Sequence, residues 1–281
     1  MQHILRIKDT TYDLTNQPLV MGILNRTPDS FFDKGKYFNL DSFLKKAQSY
    51  LKEGADIIDV GGVRAGPGKD VTESEELDRV LPAIELLKAN FDLPISVDTF
   101  RASVLKEALK LGASIGNDIS GFADPDYLKV ASEFKATVVA THIRLAPRVA
   151  DPNPVYFNLK AQVLSFLDNL LKKAHNAGVD NERIIVDPGL DLGKTTEGSV
   201  LLSTKSFYNE LLKLGRPILL SASRKDFLGN LFSLEVTDRK WPSVSMAIIS
   251  YLNGARIFRV HDVFETKSAL NTLRSIKEIN A

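Results

Sequence analysis

The stretch Asp56-Ile57-Ile58-Asp59-Val60-Gly61-Gly62, with Ile95-Ser96-Val97-Asp98-Thr99 some thirty residues on, decides how the chain is read. Both are apolar runs too short for a helix and rich in β-branched residues, so each reads as a buried strand of a parallel sheet. Between them Leu77, Val80, Leu81, Ile84 and Leu87 recur at helical spacing, and Thr72 with Glu75 makes the capping-box pattern that opens a helix. Strand, crossover helix and strand in succession are the βαβ unit of a parallel sheet.

Working outward, six further runs have the same character: Val20 to Asn25, Ser114 to Ile119, Thr137 to His142, Ile184 to Pro188, Ile218 to Ser223 and Arg256 to His261. Helical spacing recurs between them, as in Phe43, Leu44, Ala47, Tyr50 and Leu51. Gly54, Gly112, Gly178 and Gly215 fall where helices should stop, and Asp124-Pro125 suits an N-cap and first helical position. Eight strands alternating with helices over about 250 residues are the size and order of a (β/α)8 TIM barrel, an α/β fold. An open doubly wound sheet is the competitor. Its dinucleotide-binding form needs a G-x-G-x-x-G turn after the first strand, and Ile23-Leu24-Asn25-Arg26-Thr27-Pro28 is unlike one. Residues His3 to Leu14 alternate around a turn near Asp9-Thr10 and are expected to form an N-terminal β-hairpin closing the barrel floor. No linker or repeat interrupts the pattern, so residues 1–281 are expected to form one barrel domain, with 1–17 carrying the hairpin.

Composition narrows the function classes. With 44% hydrophobic and 25% charged residues the chain can bury a large core. Thirty-six basic against 35 acidic residues leave a net charge of +1, so no global field favours nucleic acid or an anionic membrane. There is no cysteine, which excludes disulfides, thiolate nucleophiles, cysteine zinc sites and iron-sulfur clusters. The opening residues lack the apolar core of a signal peptide, and the longest uncharged run, Ser243 to Ala255, is well short of the roughly 20 residues that cross a bilayer. A cytoplasmic protein without a membrane span is expected.

Strands of a parallel barrel should be apolar, yet these end in Asn25, Asp59, Asp98, Asn117 with Asp118, His142, Asp187, Arg224 with Lys225, and Arg259 with His261. All fall at the C-terminal strand ends, where barrels build their active sites. For Asp59 and Asp118 the pattern leaves two readings open, a ligand contact or a bond to loop amides. Asp98 is expected to be free in the mouth, because Thr99 is better placed to cap the helix at Arg101; Asp187, ahead of Pro188-Gly189, also reads as a ligand contact. His3 and His175 look like surface histidines, and no His pair has zinc spacing.

The cations carry more information. Ser223-Arg224-Lys225-Asp226 opens a helix, where each cation opposes the macrodipole at about 0.3 to 1 kcal/mol, a cost that a bound anion offsets. Arg259 and His261 lie on one side of the last strand, and loops after strands seven and eight form the usual phosphate site of such barrels. The plainer alternative pairs these residues with Asp226 and Asp262. Gly189 to Thr195 imitates a Walker A loop but has one residue too few between its glycines.

Taken in order, MGILNRTPDSFFDKG, DIIDVGG, ISVDT, GNDISG, DPG with GKT, SRKDFLG and RVHDV resemble the dihydropteroate synthase family across nearly the whole chain. The resemblance implies a pterin-binding barrel that condenses 6-hydroxymethyl-7,8-dihydropterin pyrophosphate with p-aminobenzoate in folate biosynthesis, releasing pyrophosphate. It implies pterin contacts from Asp98, Asn117, Asp187 and Lys225, and pyrophosphate contacts from Asn25, Arg259 and His261. Asn25 would also meet Mg²⁺; Lys225, Asp98, Arg259 and His261 would carry catalysis; and a homodimer is implied.

The departures concentrate on the second substrate. Where the family reads GGESTRPG, this chain reads Gly61-Gly62-Val63-Arg64-Ala65-Gly66-Pro67-Gly68, losing the Ser-Thr-Arg triplet. Arg26 and Lys34 add charge on the first loop, while Ile143, Leu192, Gly198-Ser199 and Ser221 replace other family residues. Arg26, Arg64, Ser221 and Arg224 are the residues expected around the acceptor, with Arg64 a partial substitute for the lost arginine. NRTPDSF with GGVRAGPG resembles a divergent actinobacterial-type paralogue branch. An active synthase with an altered acceptor site, an inactive pterin-binding paralogue and a methyltetrahydrofolate-dependent methyl transferer remain as alternatives. Arg259 and His261 weigh against the last, whose chemistry has no pyrophosphate to hold.

Overall fold

The computed structural model describes residues 4–27 and 39–279; His3 and Lys34 lie outside them. The hairpin strands β1 (Ile4–Ile7) and β2 (Thr10–Asp13) precede eight parallel strands. These are β3 (Leu19–Ile23), β4 (Ile57–Gly61), β5 (Ile95–Asp98), β6 (Ile115–Asp118), β7 (Thr137–Thr141), β8 (Ile184–Asp187), β9 (Leu219–Leu220) and β10 (Ile257–Val260). Neighbours pair in chain order, β10 pairs back onto β3, and a parallel bridge from Val186 to Ile218 joins β8 to the β9 segment, so the sheet closes. The helices are α1 (Leu40–Lys52), α2 (Glu73–Asn90), α3 (Ala102–Lys110), α4 (Tyr127–Glu133), α5 (Leu159–Asn176), α6 (Thr196–Leu201), α7 (Lys205–Leu211), α8 (Asp226–Phe232), α9 (Lys240–Asn253) and α10 (Val263–Ile279). This is the (β/α)8 barrel expected from the sequence.

Strand alternation divides the core into two layers. Ile58, Val60, Val97, Val138, Ala140 and Val186 join the cluster that packs the sheet on its helices. Met21, Ile57, Ile115, Val139, Ile185, Leu219 and Ile257 form the inner cluster with Leu5, Ile7 and Leu14 of the hairpin segment, which fills the floor. Thr137 Oγ1 donates to Arg6 O at 2.6 Å and Arg183 Nη2 to Lys8 O at 2.8 Å, fastening the plug. Two residues beyond each inner apolar position the same parity places Asp59, Asn117, Asp187 and Arg259. The barrel interior is therefore apolar below and ionic above.

Helix starts agree with the sequence at α2, where the Thr72–Glu75 capping box forms, and the glycines at 54, 112, 178 and 215 all take positive φ at helix ends. Two expectations are corrected. Asp124 does not head α4, which starts at Tyr127; its carboxylate accepts instead from Ala102 N at 2.8 Å and caps α3. Thr99 is drawn away from capping by a buried Glu76, to which its hydroxyl donates at 2.6 Å, and it keeps only a 3.3 Å contact with Arg101 N. No described helix is long and apolar enough to cross a membrane.

Candidate active site

The ionic layer centres on Arg259, whose side chain lies within the barrel. Its Nε donates to Asp59 Oδ2 at 2.7 Å and its Nη2 to Asp98 Oδ2 at 2.6 Å, while Asn117 Nδ2 lies 3.3 Å from the same oxygen of Asp59. Asp98 is thus paired, which corrects the expectation that it is free; Arg259 occupies Oδ2 and leaves Oδ1 to accept from a ligand. Burial works against the Arg259 charge, but Asp59 and Asp98 outweigh it and hold its pKa above the ordinary value. Burial pushes the Asp98 carboxyl up to about 7, with Arg259 opposing. Asp59 is fully buried and faces this network, so it caps nothing. Asp118 takes the other course: its oxygens accept from Ser120 N at 2.5 Å and Phe122 N at 2.7 Å, and it shapes a loop.

Next to this network Asp187 Oδ1 accepts from Gly189 N at 2.7 Å, and Lys225 Nζ donates to Leu190 O. Desolvation raises the Asp187 carboxyl and lowers the Lys225 ammonium, while each group's charge opposes the other's shift. Behind them Lys194 Nζ lies 2.9 Å from His142 Nδ1. Burial and Lys194 press the His142 imidazole down to about 3, and burial and Lys225 bring Lys194 to about 7. The lysine of the Walker-like stretch therefore sits against a neutral histidine.

His261 is also neutral. Burial, Arg259 and Arg224 bring it to about 3, so it serves as a donor and not as the cation that the sequence left open. Ser223 Oγ accepts from His261 N at 3.1 Å and lies 3.0 Å from Nδ1, which fixes the orientation of the ring.

A cavity of about 530 Å³ opens above these groups, and Asn25, Asp98, Lys225, Arg259 and His261 reach its wall. Its rim is built by the loops after β4, β7 and β8, including Val63, Ile143, Leu145 and Leu192. Asn117 and Asp187 lie behind the wall, 3% and 5% exposed. Asn25 Oδ1 is buried with no hydrogen-bond partner among the described residues, an orphan acceptor at the cavity edge. No cluster of three or more His, Asp or Glu side chains suited to a metal occurs among the described residues, so protein oxygen ligands alone do not build a cage.

The four expected acceptor residues separate. Arg64 lines the cavity. Arg224 also reaches it, but its guanidinium is engaged: Nε and Nη2 hold Asp262 at 2.9 and 2.7 Å, and Nη1 donates to Val236 O and Thr237 O. Arg26 is 7% exposed with Nη1 on Arg79 O at 2.7 Å, and Ser221 is 6% exposed; neither is among the residues of the wall. The physical reason is strand parity and pairing: a strand-end cation turns to whichever carbonyls and carboxylates its own loop leaves unsatisfied. The ion pairs of the plainer reading exist in exchanged form, Arg224 with Asp262 and Asp226 with Arg239.

A model of pterin binding enzymes matches residues 21–261. The chain belongs to the pterin-binding enzyme family. It is 39% identical over 268 residues to the dihydropteroate synthase of Clostridium beijerinckii, covering 94% of this chain and 96% of that one. It is 38% identical over 268 residues to the inactive dihydropteroate synthase 2 of Mycobacterium leprae, covering 93% and 91%. Among solved structures it resembles a Yersinia pestis dihydropteroate synthase in a sulfonamide complex, with TM-score 0.92, 37% identity and 98% and 99% coverage. Identity alone does not separate the active relative from the inactive one.

Three residues of this arrangement are not assigned to the site from the sequence: Asp59, held open as a ligand contact, His142, noted only at a strand end, and Lys194. Asp59 could have been found by strand parity, since Ile57 faces inward and Asp59 follows by two. The Lys194–His142 pair joins segments 52 residues apart and leaves no local signal.

Proposed function

We propose that the chain is a dihydropteroate synthase, condensing 6-hydroxymethyl-7,8-dihydropterin pyrophosphate with p-aminobenzoate in folate biosynthesis and releasing pyrophosphate, with residues 1–281 acting as one barrel domain. The observation that carries this reading is the convergence of Asp98, Arg259, Lys225 and His261 on one cavity, backed by Asn117 and Asp187. A pterin edge presents adjacent N–H donors. Asp187 and the open oxygen of Asp98 supply carboxylates to accept them, and a buried carboxylate needs such partners.

In the reaction the bond between the pterin methylene and the pyrophosphate oxygen breaks, and its electron pair leaves with pyrophosphate. The aniline nitrogen attacks the methylene and then loses a proton. The protein's part is orientation and stabilisation of the departing charge. Arg259, fixed on two carboxylates, and His261, a neutral imidazole oriented by Ser223, are pre-set at the cavity wall for the phosphate oxygens. Lys225 adds a cation beside the pterin. Mg²⁺ fits the donor set in one respect: the orphan Asn25 Oδ1 is an oxygen ligand that would hold the ion together with phosphate oxygens. When bound, the ion would neutralise charge on the diphosphate.

A cytoplasmic homodimer belongs to the same reading. Trp241, Ile249 and Leu252 are 65%, 45% and 54% exposed along one stripe of α9, and Phe264 of α10 is 60% exposed, an apolar surface of the kind that subunits cover.

The test is steady-state pyrophosphate release from the dihydropterin pyrophosphate with Mg²⁺, with and without p-aminobenzoate. Release that depends on p-aminobenzoate and yields dihydropteroate is the expected result. Folded protein that binds the pterin substrate without such release would favour the inactive-paralogue reading, which the altered Arg64-Ala65-Gly66 stretch supports.

A further inference from the structure

The loop from Gly62 to Val71 has lost the family's hydroxyl-bearing residues, yet five of its carbonyls are held by arginines from elsewhere. Arg79 Nη1 donates to Gly62 O at 2.8 Å and Arg101 Nη2 to Val71 O at 2.8 Å, securing the two ends from α2 and the start of α3. Among the described residues the middle is held by Arg148, reaching across the cavity rim from the loop after β7. Its backbone N–H donates to Ala65 O at 3.1 Å, its Nη1 to Arg64 O at 3.1 Å, and its Nη2 to Lys69 O.

Arg148 is built for this position. It sits at φ 69, a left-handed conformation that costs a non-glycine residue energy. Its own loop is braced by the Arg144–Asp151 pair, with Nε and Nη2 each 2.5 Å from a carboxylate oxygen. Tyr156 OH donates to Gly193 O at 2.8 Å and ties the same loop to the one after β8. Arg64, Arg148, Ile143 and Leu192 all line the cavity, so the clamp is part of its wall.

We infer that Arg148 is a positioning residue of the acceptor half of the site, a clamp that presents Arg64 to the carboxylate of the aromatic amine in place of the missing Ser-Thr contacts. The inference rests on the synthase reading and specifies which residue makes it workable in this chain. One guanidinium replaces the local hydroxyls by gathering two carbonyls, Arg64 O and Lys69 O, through a fork that lysine lacks, while its own backbone N–H takes a third.

The test uses Arg148→Gly, which keeps the left-handed backbone without strain while deleting the guanidinium, and Arg148→Lys, which keeps the charge without the fork. Two readouts are taken: trypsin nicking after Arg64 and Lys69, followed by mass spectrometry, and the KM values of the two substrates. Arg148→Gly is expected to be nicked on the order of tenfold faster and to raise the p-aminobenzoate KM about tenfold, the scale of one charged hydrogen bond. The pterin pyrophosphate KM should stay within about twofold, and Arg148→Lys should fall between. Unchanged nicking overturns the clamp whatever the activity. Faster nicking with an unchanged acceptor KM overturns its positioning role. Wild-type protein with no acceptor-dependent release overturns the synthase reading instead, and nicking alone then decides whether the clamp exists.

Discussion

The two ends of the cavity are held by different kinds of bond. At the end proposed to take the pterin, side chains bond side chains: Arg259 spans Asp59 and Asp98 on strands β10, β4 and β5, and every partner is fixed by a paired strand. At the end proposed for the acceptor, side chains bond loop carbonyls, as Arg148 and Arg79 do, and the anchors are themselves on loops or helices. The first arrangement tolerates no change of residue type, because a buried charge without its partner is costly. The second needs only a donor of sufficient reach, and any residue can supply the carbonyl. That difference accounts for where this chain departs from its family: the strand ends retain their charges, while the loop after β4 has changed its residues and kept an anchored path.

The largest expected effect comes from breaking the pterin end. Arg259→Ala leaves Asp59 and Asp98 buried without their cation, and losing one partner of a buried pair costs about 3 to 5 kcal/mol. Urea unfolding should show that loss, partly relieved at low pH as Asp98 protonates. Lys225→Ala should retain the fold and lower turnover on the order of 10²- to 10³-fold, the range seen when a pre-set electrostatic contact is deleted. Near-normal turnover of Lys225→Ala would remove the pterin end from the chemistry and sink the comparison.

A smaller effect distinguishes the ends by pH. Burial raises the Asp98 carboxyl to about 7, so the free protein loses this acceptor as pH falls through that value. A ligand that donates N–H groups to the carboxylate binds the ionised form, so its affinity should be full above about pH 7 and weaken up to about tenfold per unit below it. Calorimetric titration of the pterin substrate between pH 5.5 and 8 on the order of half-unit steps checks this. Acceptor binding should show no such dependence. A flat pterin profile would mean that Asp98 stays ionised against Arg259 throughout, and that pairing outweighs desolvation.

The same contrast explains how much the sequence disclosed. Strand parity and apolar runs made the barrel, its floor hairpin and the ionisable residues of its mouth legible, because each follows from period two and from a charge where a parallel strand should be apolar. Asp98, Arg259, Lys225 and His261 were all assigned to the mouth in this way, and the cavity wall includes each of them. The acceptor end was not legible. Arg224 satisfies Asp262 and two carbonyls, Arg26 satisfies Arg79 O, and Arg148 lies 84 residues from the carbonyl of Arg64 that it holds. Hydrogen bonds to carbonyls carry no residue signature at the receiving position, so no pattern in the chain marks them.

A third prediction sharpens the comparison at the acceptor end. Arg64→Ala should raise the p-aminobenzoate KM about tenfold, the scale of one charged hydrogen bond on a half-exposed side chain, while leaving the pterin KM unchanged. An equal rise in both would show that the loop serves the whole cavity.

The smallest effect belongs to the floor, below both ends. Thr137→Val removes the hydroxyl that donates to Arg6 O in the plug and keeps the branched shape, so it should cost about 1 kcal/mol of stability. The urea midpoint should fall while both KM values and turnover stay at the wild-type level. The apolar layer of Ile57, Ile115, Val139, Ile185 and Ile257 lies among the same inner strands as the hairpin and is close-packed, and the ionic layer above is fixed by its own pairs. A change in pterin KM with Thr137→Val would show that the plug transmits strain upward through that layer, making the pterin end a property of the whole barrel interior and not of its mouth.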